Sequence, residues 1–88
     1  MMPMYEVILP KSVSKQIKRL PPEVRGRVLQ RLAELGDEPR PPGRRKFVTE
    51  EDLYRVRIGA YRVIYFIDDD ARRVVIVRVA YRREVYRK

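Results

Sequence analysis

Three arginines, Arg55, Arg57 and Arg62, stand on either side of the pair Gly59-Ala60. If that pair turns a hairpin, Ile58 meets Tyr61, Arg57 meets Arg62, Val56 meets Val63 and Arg55 meets Ile64. Glycine at the first central position suits a type II′ turn, which needs a positive φ there. Side chains alternate between the two faces of a strand. Val56, Ile58, Tyr61, Val63 and Tyr65 then share one face, and Arg55, Arg57 and Arg62 share the other. Like charges set opposite one another disfavour pairing by roughly 0.2–1 kcal/mol. An anion between the guanidiniums reverses that sign, because arginine–phosphate bonds are charge-assisted and often bidentate. The chemistry these residues suit is therefore the grip of a phosphate. A plain solvated strand face accounts for exposure, but not for three arginines gathered on one side.

Two further groups are drawn into the same argument. Arg82 and Tyr86 are four residues apart after the last predicted strand. One helical turn, or the even spacing of an extended tail, puts both on one side. Arg44, Arg45 and Lys46 form a second basic knot ahead of the hairpin, with a solvated loop as the competing reading. The whole chain carries a net charge of +9, from 21 basic and 12 acidic residues. Arginine outnumbers lysine 16 to 5, and its planar fork matches phosphate where lysine offers a point charge. Such a balance favours polyanion partners: nucleic acid, the ribosome or an acidic protein segment. There is no cysteine and no histidine, so thiolate and imidazole chemistry are excluded. No apolar run is long enough to span a membrane, and the start lacks the pattern of a signal peptide, so a cytoplasmic protein is expected.

The elements that must position these residues follow from periodicity and breakers. Tyr5 to Leu9 is β-prone and Pro10 ends it, giving a first strand over about residues 4–9. Val13, Ile17 and Leu20 have helical spacing after Ser12. Pro22 suits the first position of a second helix, with Glu23 in its first turn and an apolar stripe of Val24, Val28, Leu29, Leu32 and Leu35. Gly36 suits the position just past its end. A proline-rich loop over residues 37–43 leads to three strands, Leu53–Ile58, Tyr61–Ile67 and Arg73–Val79. The expected fold is α+β, in the order β-α-α-β-β-β. A helical hairpin packs on one face of a small, mainly antiparallel, twisted sheet, and residues 1–88 form a single domain.

With that order in place, the chain resembles the RelE/ParE toxin superfamily. The resemblance covers nearly the whole length. It rests on the opening Tyr5-Glu6-Val7, on a helical hairpin ending near Leu32–Gly36 and on the proline-rich loop. It rests also on the stretch Leu53 to Tyr65 and on the close Arg82-Arg83-Glu84-Val85-Tyr86. The resemblance implies a RelE-like toxin of a type II toxin–antitoxin system. Such a toxin is a metal-independent endoribonuclease that cuts messenger RNA in the ribosomal A site through attack by the ribose 2′-hydroxyl. It also implies an acidic, RelB-like antitoxin as partner in a heterocomplex. The family's basic strand positions fall on Arg55 and Arg57, its hairpin arginine on Arg62, and its C-terminal pair on Arg82 and Tyr86.

Roles follow from the chemistry of that step. Attack on phosphate builds a five-coordinate dianion, and preorganised cations lower the barrier as its charge grows. Arg57, Arg62 and Arg82 are the candidates, with Tyr86 stacking on a base or exchanging a proton. Arg55, Arg45, Lys46 and Arg83 are the RNA-binding candidates. The sequence departs from relatives that have lysine at the two strand positions or a histidine before the C-terminal arginine. Arginine is no practical general base. Lys46, Tyr86 and Glu84 are the alternatives. Competing readings are a ParE-like toxin acting on DNA gyrase and a degenerate, non-catalytic RNA- or ribosome-binding homologue.

Overall fold

The structure, a computed structural model, describes residues 4–41, 45–46 and 53–81, the pair 45–46 by backbone alone. Its elements are β1 (Glu6–Ile8), α1 (Lys11–Lys18), α2 (Pro22–Asp37), β2 (Arg45–Lys46), β3 (Leu53–Ile58), β4 (Tyr61–Asp68) and β5 (Arg73–Tyr81). The sheet order is β1-β5-β4-β3-β2, with β1 parallel to β5 and the other pairs antiparallel. This is the expected α+β plan with one short strand added at the β3 edge. That strand falls in the basic knot Arg44-Arg45-Lys46, where two residues are too few for any period to show.

Burial explains which face takes the helices. From α1 come Val13, Ile17 and, just beyond its end, Leu20; from α2 come Val28, Leu32 and Leu35. They meet Tyr54, Val56, Ile58, Val63, Tyr65, Ile67, Val74, Ile76 and Val79 of the sheet. Fully burying an aliphatic or aromatic side chain of this size contributes roughly 1.5–3 kcal/mol, so this one layer dominates the stability. Val24 packs against the cluster as expected, but Leu29 is 44% exposed. One residue past Val28 is about 100° around the helix, which carries Leu29 off the buried stripe.

The expected stop at Gly36 is also corrected. The α2 helix continues through Asp37, and the Glu38 N–H still donates to the Glu34 carbonyl at 2.9 Å. The Gly36 carbonyl instead accepts the Tyr5 N–H at 2.8 Å, tying the lead into β1 to the end of α2. One residue on, the Glu6 N–H donates to the Arg72 carbonyl at 2.9 Å. Arg72 has φ 56°, unusual for a residue with a side chain, and its carbonyl starts the parallel pairing of β1 with β5.

At this end of the sheet a polar clamp closes the fold. Arg40 donates to both carboxylate oxygens of Asp69, at 2.9 and 3.3 Å, and through Nε to the Tyr54 hydroxyl at 3.3 Å. The Tyr5 hydroxyl donates to the same carboxylate at 2.6 Å. Tyr54 stacks on Tyr65, whose hydroxyl donates to the Pro39 carbonyl at 2.8 Å. The clamp thus joins the proline-rich loop, β1 and the β4–β5 turn.

Hydrogen bonds from Arg40, and then from Tyr5, hold the Asp69 carboxyl below the usual carboxylate range. A depressed folded pKa adds stability above the unfolded value of about 4 and loses it as pH falls through the folded value. Melting temperatures measured from pH 7 down to pH 2 are expected to fall less steeply in Asp69→Asn than in the parent below about pH 4. Parallel profiles would show that the clamp contributes nothing to acid sensitivity.

Candidate nucleic-acid interface

The hairpin has the register its sequence demands. Ile58 lies opposite Tyr61, Arg57 opposite Arg62, Val56 opposite Val63 and Arg55 opposite Ile64. Gly59 has φ 59° and Ala60 does not share the positive φ, as a type II′ turn requires. Val56, Ile58, Val63 and Tyr65 are buried under the helices, and Tyr61 packs against them. Arg55, Arg57 and Arg62 therefore occupy the outer face. Arg57 is exposed and Arg55 half-buried, while Arg62, on a central strand, is only 5% exposed.

A bulge adds a fourth arginine that the sequence reading missed. Ile64 lies opposite Arg78 but Tyr65 lies opposite Ile76, so Val77 is an extra residue in β5. Strict alternation from Val74 and Ile76 would send Arg78 under the helices. The bulge resets the phase, so Val79 enters the core at 4% exposure and Arg78 stands exposed on the outer face. A signal for this was present. An arginine in an apolar core costs far more than a local irregularity in pairing, so the run Val77-Arg78-Val79 could not keep simple alternation.

Two rows now cross the outer face. One runs through Arg55, Ile64 and Arg78 on three successive strands. The next runs through Arg57, Arg62 and Ala80. The rows lie two residues apart along the strands, roughly 7 Å. On the other side of the first row comes an apolar row of Leu53, Phe66, Val75 and Ile8, in which Phe66 is 37% exposed. The face is thus cationic toward the β3–β4 turn and apolar beyond.

The other candidates divide by position. Arg45 and Lys46 are paired through their backbones with Arg55 and Tyr54. Arg82, Arg83 and Tyr86 lie outside the described residues, as does Glu84. Tyr81 lies opposite Tyr61 with ring centroids 5.4 Å apart in an edge-on contact, so it anchors the end of β5 on the helix side, away from the arginine rows.

Comparison with known proteins places this geometry in context. A family model described as "ParE toxin of type II toxin-antitoxin system, parDE" matches residues 7–86. Toxin RelG of Mycobacterium tuberculosis is 31% identical over 85 residues, covering 96% of this chain and 98% of the relative. Among solved structures, the RelBE2 toxin–antitoxin complex of M. tuberculosis superposes with a TM-score of 0.79 at 30% identity, covering 91% of this chain and 99% of the other. The archaeal RelE–RelB complex of Pyrococcus horikoshii gives 0.77 at 31% identity, covering 90% and 96%.

The direct opposition of Arg57 and Arg62 makes a prediction in which stability and binding move apart. Arg57→Thr removes the repulsion and places a β-branched residue in the strand, so the urea midpoint should rise, by up to about 1 kcal/mol of stability. The same variant should bind single-stranded RNA more weakly. A variant that loses stability would show that the pair is not repulsive in the free protein.

Proposed function

The chain belongs to the RelE/ParE toxin superfamily of type II toxin–antitoxin systems, and on that basis we propose that it is a RelE-like endoribonuclease. Its substrate is messenger RNA in the ribosomal A site, and its restraint is an acidic RelB-like antitoxin. Acting on ribosomes puts it in the cytoplasm. The observation that carries the reading is Arg57 set directly across from Arg62, with Arg55 and Arg78 in the next row of the same face.

The proposed step needs no metal. The ribose 2′-oxygen bonds to the adjacent phosphorus, the bond from phosphorus to the 5′-oxygen breaks, and a 2′,3′-cyclic phosphate and a 5′-hydroxyl result. The 2′-hydroxyl proton leaves, and one proton reaches the departing oxygen. Arg57 and Arg62 neutralise the dianionic intermediate state, and their rigid forks hold the phosphate in line. Arg82 joins them through the family correspondence. Arg55 and Arg78 hold the flanking backbone, with Arg45, Lys46 and Arg83 extending that grip. Tyr86 stacks on a base or carries a proton, and the base is drawn from Lys46, Tyr86 and Glu84. No arginine here serves as base, since guanidinium keeps its proton at any physiological pH.

The partner follows from similar reasoning. The two solved relatives named above are toxin–antitoxin complexes, and a chain of net charge +9 favours an acidic wrapping segment. The matching family description names ParE, so gyrase inhibition is the rival reading. An arginine pair suited to a phosphorane favours RNA cleavage.

Programmed ribosomes incubated with the protein, followed by primer extension, test this. Cuts within the A-site codon are expected, and Arg57→Ala should slow cleavage by about 10²–10³-fold, as loss of one charge-stabilising donor does. Arg57 is exposed, so this variant keeps its fold. Intact message together with inhibited DNA supercoiling would overturn the proposal in favour of gyrase, and tight ribosome binding without cleavage would mark a degenerate homologue.

A further inference from the structure

Around the edge of the hairpin, a second cluster of arginines lies on the helix side of the molecule. Arg27, Gln30, Arg31 and Glu34 project from one face of α2, at the spacing of successive turns. With Arg57, Ile58 and Gly59 they line an open groove of about 330 Å³. Three cations face one anion there. Glu34 is taken up by Arg31, at 3.3 Å. Arg27 and Arg57 have no ion-pair partner among the described residues.

The groove is built rather than incidental. The Arg27 guanidinium packs on Gly59, with Nη2 3.2 Å and Cζ 3.8 Å from where a Cβ on Gly59 would stand. Gly59 therefore serves two needs: it takes the positive φ of the turn and leaves the room that Arg27 fills. Arg57 connects this groove to the outer face. It lines the groove and also lies opposite Arg62 in the row described above. The pairing of β2 with β3 covers only Tyr54 and Arg55, so on the side of Arg57 away from β4 no strand lies among the described residues.

We propose that this groove is a second phosphate site, which takes the backbone of the RNA strand flanking the phosphate held by Arg57 and Arg62. It rests on the RNA-binding reading of the outer face. An acidic peptide is the poorer fit. Ile58 is the one apolar lining side chain, and peptide docking draws most of its energy from buried apolar anchors. A phosphodiester asks only for charge and forked donors, which Arg27 and Arg31 present.

The test uses the full chain and non-cleavable 2′-O-methyl RNAs of three and ten nucleotides, with affinities measured across a salt series. The parent should favour the longer RNA. Arg27→Gln, a change on an exposed helix surface, should cut that preference several-fold and make the salt slope for the longer RNA shallower by about 0.7, the loss of one phosphate contact on a single strand. A parent that binds neither RNA would overturn the outer-face reading and the groove together. A parent that favours the longer RNA while Arg27→Gln keeps both the preference and the slope would overturn the groove alone. So would an Arg27→Gln variant that loses poly-glutamate binding but not the RNA preference.

Discussion

Between Ile58 and Tyr61 the chain has only Gly59 and Ala60 in which to reverse direction, and only Gly59 takes the positive φ that a tight reversal requires. That constraint fixes the register of β3 against β4, and register in a sheet with one buried face decides every side chain at once. A slip of one residue would send Arg55, Arg57 and Arg62 under the helices and Val56, Ile58 and Val63 into water. The apolar face cannot tolerate this, so core packing and turn geometry enforce the same answer. The opposition of Arg57 and Arg62 is therefore held in place by the burial of their neighbours. In the proposed function, that fixed opposition spares an incoming phosphate the cost of organising its site.

This hairpin was legible in the sequence because period-two alternation on both strands and a glycine at the turn point to a single register. What escaped was set by partners rather than by local pattern. The extra residue at Val77 exists only relative to β4, and without it Arg78 could not be placed on the outer face. Gly36 has the composition of a helix stop, yet its carbonyl is used by Tyr5, more than thirty positions away in the chain, and α2 runs on. Leu29 matched the stripe by type and missed it by angle. The two residues of β2 carry no period at all. The C-terminal pair Arg82 and Tyr86 shares one side by its four-residue spacing, but its place beside Arg57 and Arg62 stands on the family correspondence alone.

Charge is sorted along the strands as well as across the sheet. Asp68, Asp69, Asp70 and Glu6 gather where Arg40 and Tyr5 close the clamp, whereas Arg27, Arg31, Arg57 and Arg62 gather at the β3–β4 turn. The eight residues of β4 separate these poles by roughly 26 Å. That is about three Debye lengths at physiological ionic strength, so the acids do little to neutralise the distant arginines. The acidic end spends its charge locally, on Arg40 and on the weak pair of Glu6 with Arg73. The basic end carries more cations than anions, and in the proposed function that polarity steers this end toward a polyanion during approach.

Contacts from arginine forks to phosphate hold a backbone and carry no information about bases. On the same face, the row of Leu53, Phe66, Val75 and Ile8 lies roughly 7 Å from the row of Arg55, Ile64 and Arg78. A nucleotide whose phosphate rests on the arginines lays its base over those apolar side chains. Stacking of this kind contributes about 1–3 kcal/mol per base and tolerates every base, since each has a π-face. In the proposed function, both bands of the surface grip single-stranded RNA without choosing among sequences. The one face of the sheet that could be shaped into a deep base-reading pocket is filled by the helices and the core. In the proposed reaction, the place of the cut is then set by the machinery that presents the strand, and the chain supplies the grip and the charge that the transition state needs.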